Sequence, residues 1–178
     1  MQNEKFMPQR DIYRCKNNGV TLTELIIVIA IVGILVVALG FSFEGWLGKY
    51  RVESQMKEMY ADLMNTRANA MSRSRVHFFT IPTATSYTIY DDTNPAPDGN
   101  GILETAGTPD TQLPGFPKTV TDSLTWGGGN IEFSTRGTIT NWGTIRVTNS
   151  FNADYDCIVI SQTRINMGQW NVATCVVK

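Results

Sequence analysis

No charged residue interrupts the chain from Leu25 to Phe43, and this run constrains everything around it. A helix of roughly 17–25 apolar residues is long enough to cross a bilayer, so the sequence predicts one membrane-crossing helix over residues 20–43. Glu24 stands at its edge. An ionised acid is costly in hydrocarbon, which makes Glu24 a functional position by default. Ahead of it lies a polar segment, residues 1–19, ending in Gly19. Three plainer readings compete. A secretory signal would have a shorter apolar core and a small-residue cut site; Ala38-Leu39-Gly40 resembles such a site, but the run is too long and Glu24 fits poorly. A plain membrane anchor would use Thr21-x-x-Glu24 only as a capping box, with the Glu24 side chain reaching back to the Thr21 N–H. A buried helix this apolar on all faces would need a larger domain than the remaining chain provides.

The first segment carries Lys5, Arg10, Arg14 and Lys16 against Glu4 and Asp11, within a chain of 178 residues and formal charge −1. The positive-inside rule therefore keeps residues 1–19 in the cytoplasm and sends the chain beyond the run outside. What remains is enough for one modest domain. The three cysteines fit that compartment. Cys15 lies in the first segment, whereas Cys157 and Cys175 lie in strand-like segments of the exported part, where disulfides persist. The alternative for these two is a pair of buried free thiols.

Residues 44–75 contain no proline, and Val52, Met56, Met59, Leu63, Thr66 and Ala70 recur in steps of three and four. That spacing predicts an amphipathic continuation of the helix. Met56, Met59, Met64 and Met71 read as core rather than as a metal-binding set. Gly40, Gly45 and Gly48 weaken the helix between the two halves, each by about 1 kcal/mol relative to Ala. From Val76 the chain is β-rich. Residues 76–81, 86–90, 120–126, 130–134, 137–140, 144–148, 157–162 and 170–177 read as strands, with turns at Arg136-Gly137, Asn141-Trp142-Gly143 and Asn166-Met167-Gly168. The expected fold is α+β, a long N-terminal helix packed on antiparallel sheets.

Lys16-Asn17-Asn18-Gly19, then Val20, then Thr21-Leu22-Thr23-Glu24 and the apolar run together resemble the signal of type IV pilins and type II secretion pseudopilins. Val20 stands where that family usually has Phe or Met. The later segments Tyr90-Asp91-Asp92, Asp98-Gly99-Asn100-Gly101, Ile131-Glu132-Phe133 and Ile158-Val159-Ile160-Ser161 resemble the minor pseudopilin H branch and the fimbrial T-like and U-like minor pilins. The resemblance implies a domain order of leader 1–19, membrane and filament-core helix 20–43, helical continuation 44–75, and periplasmic head 76–178 with a variable acidic loop at about 91–118. It implies cleavage between Gly19 and Val20 by a prepilin peptidase, N-methylation of Val20, and a register role for Glu24 against a neighbouring subunit's amine. It implies residence in the bacterial inner membrane as a single-pass protein, then extrusion into a pilus or pseudopilus. The implied partners are other pilins or pseudopilins, the peptidase, and indirectly a platform protein and an assembly ATPase. The implied role is that of a minor structural subunit, acting in initiation near the filament tip.

Asp91, Asp92, Asp98, Asn100 and Glu104 are hard oxygen donors of the kind Ca²⁺ takes. The twelve-residue spacing of an EF-hand is not met, and the plainer reading is a surface turn. No other cofactor is called for. A tip-located DNA receptor is the rival function. Phosphate contacts would carry it, but the acidic balance beyond the leader and the lack of a basic run weigh against nucleic acid. The sequence does not read as an enzyme. Its one histidine, His77, sits beside Phe78 and Phe79, and there is no Gly-x-Ser-x-Gly, His-Glu-x-x-His or phosphate loop.

Overall fold

The computed structural model describes residues 19–148 and 151–178, with the side chains of residues 39–43 left out. Cys15 and nearly all of the leader 1–19 lie outside the described residues. Helical residues α1 run Leu22–Arg73. The chain divides into two compact units, Met1–Phe41 and Ser42–Lys178. The helical residues thus fall in two units, 22–41 in the first and 42–73 in the second.

In the first unit every described side chain from Val20 to Ala38 is exposed, including Leu25, Ile26, Ile29, Ile31, Leu35 and Val37. The expected crossing over 20–43 is corrected here. Among the described residues, no helix is long and apolar enough to cross a membrane. The described apolar side chains of this helix, Leu25 to Ala38, are fewer than the roughly 20 consecutive apolar residues that a bilayer core requires. The single-pass inner-membrane placement, with a cytoplasmic leader and a periplasmic head, falls with it.

The second unit is an α+β fold. Its helix presents Val52, Met56, Met59, Leu63, Thr66 and Ala70, all essentially inaccessible, to the sheets. Thr66 tolerates this burial because its hydroxyl donates to the Asp62 carbonyl at 2.6 Å. Met64 and Met71 are exposed, so only two of the four methionines expected in the core are there.

One sheet comprises β1 (His77–Thr83), β2 (Ser86–Asp91), β3 (Thr111–Gln112), β4 (Lys118–Thr119), β6 (Ile131–Phe133) and β7 (Ile139–Thr140). Its order is β3-β2-β1-β6-β7, with β4 also pairing β2. The other comprises β5 (Ser123–Thr125), β8 (Gly143–Thr148), β9 (Cys157–Ile160), β10 (Ile165–Asn171) and β11 (Thr174–Val177), in the order β11-β10-β9-β8-β5. Every pairing is antiparallel. Phe79, Tyr87 and Ile89 from the first sheet meet Ile145, Val147, Ile158 and Ile160 from the second in the core. Inward and outward side chains alternate in β8, where Ile145 and Val147 point in and Thr144 and Arg146 do not.

The expected strands 120–126, 137–140 and 157–162 shorten to β5, β7 and β9, the short β3 and β4 were not expected, and two readings near the C-terminus change. Asn166-Met167-Gly168, read as a turn, lies inside β10. Residues 170–177, read as one strand, hold the end of β10, a turn at Val172 with φ 49°, and β11.

Candidate functional site

Gly19 and Val20 precede the helix in non-helical backbone, and both are exposed. Thr21 caps the helix. Its Oγ1 accepts from the Glu24 N–H at 3.3 Å, and its carbonyl accepts from the Leu25 N–H at 3.2 Å. The first turn of a helix leaves backbone N–H groups without partners, and a Thr hydroxyl supplies one. The reciprocal half of a capping box is missing: among the described residues the Glu24 carboxylate has no hydrogen-bond partner, and it stands free in the first turn. The arrangement is an accessible junction at Gly19-Val20, followed by a capped helix with one unengaged acid and an uncovered apolar surface.

The acidic loop of the second unit folds differently from its expected donor set. Asp92 is buried at the end of β2. Its Oδ1 accepts from the Asn100 N–H at 3.2 Å and its Oδ2 from the Gly101 N–H at 2.6 Å. Gly99, at φ 77°, passes so close that a Cβ would run into the Asp92 carboxylate. Burial pushes the Asp92 carboxyl above its ordinary range, and the Gly101 and Asn100 N–H groups pull it back. Asp110, which the sequence reading missed, accepts from the Thr93, Asn94 and Glu104 N–H groups at 3.0–3.2 Å. The Glu104 side chain accepts from Asn100 Nδ2 at 2.7 Å. Carboxylate oxygens of Asp92, Glu104 and Asp110 converge within 4.8 Å of one another. Of the five expected calcium donors, Asp92, Asn100 and Glu104 thus come together, Asp98 is exposed, and Asp91 points elsewhere. Asp92 and Asp110 already receive backbone N–H donors, so the cluster ties the loop to the end of β2. The pair Asp92 and Asp110, flanking a loop rich in Gly and Pro, was the available signal for it.

Asp91 is buried on the other side. Its Oδ2 accepts from Arg73 and Arg75 at 3.1 and 3.2 Å. His77, fully buried, directs Nδ1 to the Arg75 carbonyl at 3.1 Å and Nε2 toward Asp91 Oδ1 at 3.8 Å. A carbonyl only accepts, so Nδ1 carries the proton. Burial lowers the His77 pKa, against the raising effects of the Arg75 carbonyl and Asp91.

Near the C-terminus, Cys157 and Cys175 are joined in a disulfide. Cys157 lies opposite Gly168, and Cys175 lies opposite Trp170. The bond therefore crosses β10, which separates β9 from β11. Arg146 stacks on Trp170 at 4.4 Å nearby.

Residues 14–40 match the family model for the prokaryotic N-terminal methylation motif, which is typical of type IV pilins and pseudopilins. The α+β arrangement, helix against antiparallel sheets, agrees with a pilin-like architecture in general. Neither a curated protein nor a solved structure matches the chain.

Proposed function

We propose that this chain is a minor structural subunit of a filament of the type IV pilus or type II secretion pseudopilus kind, close to the pseudopilin H and fimbrial T-like and U-like branch. The observation that carries the reading is the methylation motif at residues 14–40, placed on an exposed junction before a helix whose apolar side chains are uncovered. A prepilin peptidase removes residues 1–19, and Val20 becomes the methylated N-terminus. Exposed Leu, Ile and Val at this density are unfavourable in water, at about 25 cal/mol per Å² of apolar surface. Sister helices in a filament core cover them. Methylation leaves the Val20 amine able to carry charge. In the apolar bundle that amine pairs with Glu24 of a neighbouring copy, because neither charge is tolerable there alone, and the pair fixes the axial stagger. A platform protein and an ATPase drive assembly, and the subunit acts in initiation near the tip.

The test is co-expression with a prepilin peptidase, followed by N-terminal sequencing and intact mass. The product begins at methylated Val20; a product beginning at Met1 or Phe41 overturns the reading. Glu24→Ala leaves the cut intact and lowers incorporation into filaments. Normal incorporation of that variant removes the register role.

A further inference from the structure

The charges of the second unit are unevenly matched. The described lysines all face carboxylates: Lys49 and Lys178 with Asp154, Lys57 with Glu53, and Lys118 with Glu58 and Asp62. Arg73 and Arg75 share Asp91. Arg67, Arg136 and Arg164 have no carboxylate partner among the described residues. They also lie together. Arg67 donates to the Thr163 carbonyl at 2.9 Å, one residue from Arg164. A Cβ built on Gly137, one residue from Arg136, would stand 3.3 Å from Arg67 Nε. The turn between β6 and β7 and the turn between β9 and β10 thus flank Arg67 on the helix.

The segments that carry the three arginines hold no acid. No Asp or Glu occurs between Asp62 and Asp91, between Glu132 and Asp154, or after Asp156. Those intervals supply the last turns of the helix and both flanking turns. Arg136 and Arg164 are exposed, and the Arg67 Nε is buried without a hydrogen-bond partner. A planar guanidinium offers paired N–H donors that match a carboxylate in a bidentate fork.

We propose that Arg67, Arg136 and Arg164 form a docking surface for an acidic protein segment. A nucleic acid fits less well. Arg75 donates to the Pro97 carbonyl at 3.0 Å, which brings the loop of Asp92, Asp98, Glu104 and Asp110 against the neighbouring edge. A long phosphate backbone crossing the patch would meet those acids, whereas a short carboxylate-bearing segment stays within the three arginines.

The experiment uses full-length protein in detergent micelles and a fluorescent oligoglutamate peptide, read by anisotropy at low salt. Wild type and the Arg51→Gln control bind. Arg136→Gln with Arg164→Gln, both at exposed turn positions where folding is not at risk, weakens binding about tenfold, and added salt weakens it further. Absence of wild-type binding overturns the proposal, as does a double variant that binds like wild type. Duplex DNA that binds more tightly than the peptide, and loses that binding in the double variant, overturns it in favour of nucleic acid. The assay needs no filament, so it can fail while the assembly reading stands, and the reverse.

Discussion

Gly168 lies under Cys175: a Cβ at this glycine would stand 3.0 Å from the Cys175 Sγ and would overlap the Val176 carbonyl. The disulfide crosses β10 at the one residue of that strand without a side chain. Gly168→Ala therefore forces β11 outward. Overpacking of this kind costs about 1–3 kcal/mol, read as a lower denaturation midpoint with unchanged slope.

The bond itself closes a separation of 18 residues. Cys157→Ser with Cys175→Ser lowers stability by roughly 3 kcal/mol in the chain-entropy model. Denaturation of oxidised wild type, reduced wild type and the double variant checks this. The last two curves coincide and lie below the first.

His77 sets a pH dependence. Its pKa in the fold lies below the ordinary histidine value of 6.5, chiefly through burial. The unfolded chain therefore binds more protons than the folded one below that pH, and stability rises with pH across the interval. The His77 contribution is complete above pH 6.5 and is lost as pH falls toward the folded pKa. Unfolding measured across this range shows the decline, and His77→Gln flattens it.

Thr21 caps the first helical turn through the Glu24 N–H. Thr21→Ala removes that acceptor at a cost of about 1 kcal/mol. Amide exchange at Glu24 accelerates several-fold, while exchange at Met59 and Leu63, in the other unit, is unchanged.

How far the fold was legible depended on whether a signal was local. The stripe Val52, Met56, Met59, Leu63, Thr66, Ala70 is buried along its whole length because helix period alone decides which side chains share a face. Residue type without period misled: Met64 and Met71 are off the stripe and exposed. The hairpin of β10 and β11 was hidden because Val172 occupies its turn at φ 49°. A β-branched residue at positive φ is rare, so local preference continued the strand where the chain reverses. In the acidic loop, composition identified Asp92, Asn100 and Glu104 but not their arrangement. Asp91 and Asp92 are adjacent in β-like backbone, so their side chains leave on opposite faces, one to Arg73 and Arg75 and the other into the loop.

Sequence by itself determined the N-terminal signal, the apolar run and the buried helical face, because each is a matter of residue order along a few turns of chain. Only the tertiary structure decided that Cys157 and Cys175 meet across Gly168, that Asp110 joins Asp92 and Glu104, and that the turns carrying Arg136 and Arg164 flank Arg67. These groupings join residues on different elements and loops of the chain. Strand order and register bring them together, and no local preference encodes either.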